Sequence, residues 1–81
     1  MWMTQAKYES EYKILCTFED GKQVLADFRS FLNNTSLRQL KQYLNMDLFR
    51  KFRVQDGSLC WEGNVFDVYG EDIYNGDFTV A

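Results

Sequence analysis

Two thiols, a run of carboxylates and a knot of cations are the side chains here that could do chemistry. Cys16 and Cys60 are the only cysteines. A catalytic thiol needs a base or a cationic neighbour to populate its thiolate, and the chain has no His to act as that base. Both cysteines fall in runs of strand-forming residues, so we read them as buried structural thiols, reduced and unpaired. Without His and without a Cys-x-x-Cys pair, a structural zinc site lacks its usual ligands. No metal and no cofactor is expected, and no residue is assigned a catalytic role.

The carboxylates Asp67, Glu71, Asp72 and Asp77 lie close together in "DVYGEDIYNGDF". A calcium loop of the EF-hand kind needs Gly at its sixth position and Glu at its twelfth, and this stretch supplies neither. Nothing in the spacing makes two carboxylates converge for acid-base work, so Glu71 and Asp72 read as acids favoured at a helix start by the dipole. Asp27, at the end of an apolar run, reads as a cap for a helix beginning near Phe28. Arg50, Lys51 and Arg53, with Arg38 and Lys41, form the one basic concentration. Phe49 and Phe52 interleave with it as in a surface that stacks bases. The net charge of −3 and the absence of an RNP-like or phosphate-cradling glycine signature weigh against nucleic acid as the main partner.

The elements that would position these groups follow from pattern. A chain of 81 residues is expected to form a single domain, with 1–10 frayed unless Trp2 ties it down and 77–81 a tail. "EYKILCTFEDGKQVLADF" sets two strand-like runs around Asp20-Gly21, and "FRVQDGSLCW" does the same around Asp56-Gly57. A two-residue turn in the first hairpin places Glu19 opposite Lys22. Leu15 and Thr17 then share a face with Val24 and Ala26, and Ile14, Cys16 and Phe18 share the other with Gln23 and Leu25. Phe28, Phe31 and Leu32 have helical spacing up to Asn33-Asn34. "TSLRQLKQYLN" reads as an amphipathic helix with Ser36 as N-cap, Gln39 completing a capping box, a stripe of Leu37, Leu40 and Leu44, and Asn45 as a left-handed stop. Asp47 caps one more turn that delivers Leu48 and Phe49. Residues 62–64 read as a turn, 65–68 as a short strand, and 71–75 as a helical turn. The fold class is α+β: an antiparallel sheet of four or five strands, built from two Asp-Gly hairpins, packed against one main amphipathic helix.

Taken in order, a strand ending in Phe18 before Asp20-Gly21, a second ending in Asp27-Phe28, the Leu48-Phe49 pair, Val54, Trp61, Asp67 and the closing Ile73-Tyr74 resemble the small prokaryotic family known as domain of unknown function 2442. Glu62 and Gly70 stand where its members usually carry Pro. The resemblance spans about Tyr12 to Tyr74. It implies a compact α+β module of unassigned biochemical role, found in some cases beside a DNA-binding domain or a small partner protein, as toxin-antitoxin pairs are.

Fourteen aromatic rings (seven Phe, five Tyr, two Trp) are a heavy load for so short a chain. Some are expected to meet a second subunit, a homodimer being the commonest arrangement, or another protein. Ile14, Phe18, Leu25, Trp61 and Tyr74 are the candidate interface. The expected function is a non-enzymatic protein-interaction module in the cytoplasm, with no segment near the roughly 20 apolar residues a membrane span needs. The alternative is a regulatory factor of a toxin-antitoxin-like complex that contacts nucleic acid through a partner or through Arg50, Lys51 and Arg53.

Overall fold

The structure, a computed structural model, describes residues 1–61 and 66–76. Among them are two three-stranded antiparallel sheets, in the orders β1-β2-β3 and β4-β5-β6, together with short helices: the class is α+β as expected, but the two hairpins belong to separate sheets and not to one sheet of four or five strands, because β1 and β6 each add a third strand to one of them.

The first sheet is formed by β1 (Met3–Ser10), β2 (Lys13–Phe18) and β3 (Gln23–Asp27). β1 is a full strand paired with β2 from Met3 to Ser10, not a frayed end. Register shifts between Met3 and Gln5 and between Tyr8 and Ser10 blur its period of two, which hides it in the sequence. Its turn to β2 is made by Glu11 and Tyr12, both at positive φ (47° and 66°), residues that carry no glycine-like turn signal. Tertiary contacts hold Tyr12 there. Its hydroxyl donates to the Leu44 carbonyl, its carbonyl accepts from the Phe28 N–H at 2.9 Å, and its ring meets Phe49 edge-on at 5.2 Å.

β2 and β3 pair one residue away from the expected register, with Cys16 opposite Val24 and Thr17 opposite Gln23. Phe18 N–H donates to the Lys22 carbonyl and Gly21 N–H to the Phe18 carbonyl, each at 2.9 Å, so the loop holds three residues, Glu19 to Gly21. Gly21 sits at φ +90°, and Asp20 Oδ1 accepts from the Lys22 N–H at 3.0 Å. The shift exchanges face partners. Ile14 and Cys16 join Val24 and Ala26 in the core, while Leu15 and Thr17 lie outside with Gln23 and Leu25. Burial decides between the registers, because only the observed one puts Ile14, Cys16 and Phe18 on the same face as Val24 and Ala26, leaving just Leu15 and Leu25 of the apolar residues on the other.

α1 (Arg29–Asn34) begins where Asp27 Oδ1 accepts from the Arg29 N–H at 3.0 Å. α2 (Arg38–Lys41) runs into a 3-10 turn, Gln42–Leu44. Ser36 does not cap it: Leu37 occupies the N-cap position, with no side-chain cap, and the Leu37 N–H is taken by Thr35 Oγ1 at 3.2 Å. The helix thus starts later than expected, leaving Leu37 52% exposed, and the buried stripe is Leu40 and Tyr43 with Leu44 half-buried. Asn45 is extended rather than left-handed; its Oδ1 accepts from the Asp47 N–H, so Asn45 and not Asp47 caps α3 (Met46–Phe49).

The second sheet comprises β4 (Phe52–Gln55), β5 (Ser58–Trp61) and the short β6 (Asp67–Val68), followed by α4 (Gly70–Tyr74). Phe52 lies opposite Trp61 and Gln55 opposite Ser58, leaving Asp56 and Gly57 as a two-residue turn, both at positive φ. The expected turn at 62–64 and the start of the next strand lie outside the described residues.

Trp61 is at the centre of the core, wholly buried, with Phe66 stacked on it at 4.6 Å and Phe28, Tyr43, Phe49 and Phe52 around it. Its indole N–H is not left unpaired, donating to the Phe49 carbonyl at 2.7 Å. Mutual ring packing absorbs most of the aromatic load. Among the described aromatics only Trp2 and Tyr69 are exposed, at 54% and 71%.

Candidate binding cleft

Those two rings flank the Asp56-Gly57 turn. Gly57 is buried because the Trp2 ring lies across it: a Cβ built there would stand 2.6 Å from Trp2 Cδ2. Gly70, at the start of α4, packs against the same turn, and its Cβ would stand 2.2 Å from the Gly57 carbonyl oxygen. Two glycines therefore let a hairpin turn, a helix start and an aromatic ring approach where side chains would hold them apart. The N-terminal strand is fastened to this junction. Met3 N–H donates to the Gly57 carbonyl at 3.2 Å, and Trp2 exchanges two backbone-linked bonds with Glu19, its N–H donating to Oε2 at 2.8 Å and its carbonyl accepting from the Glu19 N–H at 2.9 Å. The terminal amino group pairs with Glu71. Tyr69 precedes α4 in extended conformation, and the Gly70 N–H donates to Ser58 Oγ at 3.3 Å.

Around this junction runs a cleft in two lobes that share Asp56, Ser58 and Tyr69. One lobe, of about 300 Å³, is completed by Gln55, Cys60 and Asp67 on the outer face of the second sheet. The other, of about 380 Å³, reaches Trp2, Gly57 and the acids Glu19 and Glu71. The lining is aromatic and acidic over a floor of backbone. It offers a concave surface for a ligand, with no His in the chain to activate the Cys60 thiol.

The residues singled out in the sequence fall elsewhere. Ile14, Phe18 and Trp61 are closed inside the chain's own core, at 1% exposure or less, and present nothing to a partner. Leu25 is 38% exposed on the outer face of the first sheet, opposite Leu15. Tyr74 is half-buried and serves as a fastening: its hydroxyl donates to Asp20 Oδ2 at 2.7 Å, its ring meets Phe18 edge-on at 5.1 Å, and Lys22 Nζ lies 4.1 Å from the ring centroid. These bonds hold the Asp20 carboxyl below its ordinary value, with the Tyr74 hydroxyl the largest cause. The Asp20 bond in turn pushes the Tyr74 phenol up. Of the cations, Arg50 lies over the Tyr8 ring at 4.8 Å and Arg53 Nε donates to Gln55 Oε1 at 3.1 Å, while Lys51 is exposed.

Neither cysteine is paired. Burial pushes the Cys16 thiol up to about 12, where it is an inert core group. Cys60 lines the cleft almost covered, its Sγ 3.7 Å from Gln55 Oε1. No group of three or more potential metal ligands occurs among the described residues, and Asp77 lies outside them. No helix of the described residues is long and apolar enough to cross a membrane.

Sequence reasoning misses Tyr69, and it meets Trp2 only as a tie for the N-terminus. The signal that could have found the cleft is the pairing of a short-looped Asp-Gly turn with a second glycine, Gly70, just before a helix start. No curated protein and no solved structure matches the chain. A family model does match, over residues 3–79 and so over nearly the whole chain. The chain belongs to the family described as protein of unknown function (DUF2442).

Proposed function

We propose that this chain is a protein-interaction module that works by surface complementarity, with the Trp2–Tyr69 cleft as its contact surface. The observation that carries this reading is the pair of exposed aromatic rings on a cleft, the other described rings being buried or half-buried. Exposed Trp and Tyr beside a preformed concavity are the side chains that most often anchor a protein partner, because they bring large area at little entropic cost. Two free cysteines support a reducing compartment such as the cytoplasm.

Self-association was expected from the number of rings, and the packing of most described rings inside the chain gives that ground less support. A two-fold dimer through the cleft would also set the Asp56, Asp67, Glu19 and Glu71 of one copy against those of the other. A different protein is therefore the favoured partner. The nucleic-acid alternative has less support, since Arg50 and Arg53 are already engaged by Tyr8 and Gln55.

Selection from a random-peptide display library tests this reading. Peptides that bind the chain and lose binding to Tyr69→Ala support it. An absence of any enriched peptide, or enrichment indifferent to Tyr69→Ala, refutes it.

A further inference from the structure

The reading of the cleft as a protein-binding surface can be given a partner chemistry. Its two lobes are lined by carboxylates and aromatic rings, with no lysine or arginine among the described lining residues. Glu19 and Glu71 are already occupied, by the Trp2 N–H and by the terminal amino group. The Asp56 and Asp67 carboxylates have no hydrogen bond or ion pair among the described residues. Arg53, on the same outer face of the sheet, is turned to Gln55 instead. Open carboxylates beside an exposed phenol ring form a surface that is complementary to one kind of side chain. Arginine and lysine can pair a cationic head with a carboxylate and lay the guanidinium or the methylene stem on an aromatic face.

We infer that the cleft binds a basic segment of another protein, seating an arginine or lysine in the first lobe between the Asp56 and Asp67 carboxylates and the Tyr69 ring, with the Trp2 ring of the adjoining lobe meeting the flanking residues. The net charge of −3 on the chain favours approach of such a segment, and the sparse basic residues of this chain lie outside the lining. Burial of the whole cleft is not required; a single anchored side chain with flanking apolar residues suffices for weak, specific recognition.

The test is fluorescence anisotropy with three dye-labelled hexapeptides: alternating arginine and leucine, the same peptide with citrulline for arginine, and the same with glutamate. Citrulline keeps the shape and removes the charge. The expected result is binding of the arginine peptide about tenfold tighter than the citrulline one, and loss of that margin in the double variant Asp56→Asn, Asp67→Asn. Asn at position 56 tolerates positive φ, so the turn survives, and an unchanged circular-dichroism melt verifies it. Equal affinity for the arginine and citrulline peptides overturns the inference. If both also lose binding on Tyr69→Ala, the protein-binding reading stands without it. If none of the three binds while display-selected peptides do, the inference again falls alone. A solution mass that rises with concentration and reverts in the double Asn variant would make a second copy the occupant, which likewise overturns it.

Discussion

The chain uses the dipeptide Asp-Gly at two hairpin turns, and the two do opposite work. At Asp20-Gly21 the glycine faces open space: a Cβ there would meet nothing within 4 Å. The aspartate does the structural work, bonding the Lys22 N–H and the Tyr74 hydroxyl and so fastening the loop to α4. At Asp56-Gly57 the roles reverse. The glycine is buried under Trp2 and against Gly70, while the aspartate carboxylate is left open on the rim of the cleft. A turn motif therefore carries no fixed meaning; what packs on it decides whether its glycine serves conformation alone or close approach as well. The first turn is a fastening, and the second is the keystone of a surface.

That contrast can be broken in four places. Gly70→Ala is the most damaging, because the new methyl would meet a backbone carbonyl that has nowhere to move. We expect a loss of about 3 kcal/mol in urea unfolding. Gly57→Ala comes next, at about 2 kcal/mol, from a left-handed residue gaining a Cβ and from displacement of the Trp2 ring. Combining it with Trp2→Ala sharpens the comparison: the steric part should vanish and leave only the conformational part, so the double variant should lose less than the sum of the two singles.

Gly21→Ala should cost about 1 kcal/mol, the backbone cost alone, and it should leave Trp2 accessibility to acrylamide unchanged. Tyr74→Phe is the smallest effect and appears as a pH dependence. Because the folded-state Asp20 carboxyl lies below its ordinary value of 3.8, its contribution to stability is present above that value and fades as pH falls through the lowered one. Tyr74→Phe removes the largest cause of the lowering. Its stability deficit should therefore be seen at neutral pH and shrink on acidification below the ordinary carboxylate range.

Much of the architecture was legible because local chemistry and burial agree. The α+β class, the strands on either side of Asp56-Gly57, the α1 helix with Asp27 at its start and the arrival of Phe49 in the core all follow from turn residues and apolar spacing. The failures have physical causes. β1 is obscured by two irregularities in pairing and by a turn at Glu11-Tyr12 that tertiary bonds to Leu44 and Phe28 hold in place. In the first hairpin, either of two loop lengths fits an Asp-Gly pair, and only burial of the paired strands selects the longer. Ser36 has no capping role because Thr35 Oγ1 takes the Leu37 N–H and the helix starts one residue later than the capping box implies.

The site was less legible than the fold. Ile14, Phe18 and Trp61 drew attention for being apolar, and the property that makes them prominent in a sequence is what takes them into the core. Trp2 and Tyr69 are far apart in the chain and belong to no periodic pattern. They become a pair only because Gly57 and Gly70 let the N-terminal strand, a turn and a helix start meet at one point.

Backbone amide shifts in a 1H-15N correlation spectrum, followed while the arginine-leucine peptide is added, test the central claim most directly. The account predicts movement of the amides of Asp56, Gly57, Ser58, Tyr69 and Gly70 and of the Trp2 indole, with Gly21 and the Trp61 indole unmoved. Shifts centred on Asp20, Gly21 and Tyr74, or on the Leu15 and Leu25 face, would contradict it by making the first hairpin, and not the second turn, the place where this chain meets a partner.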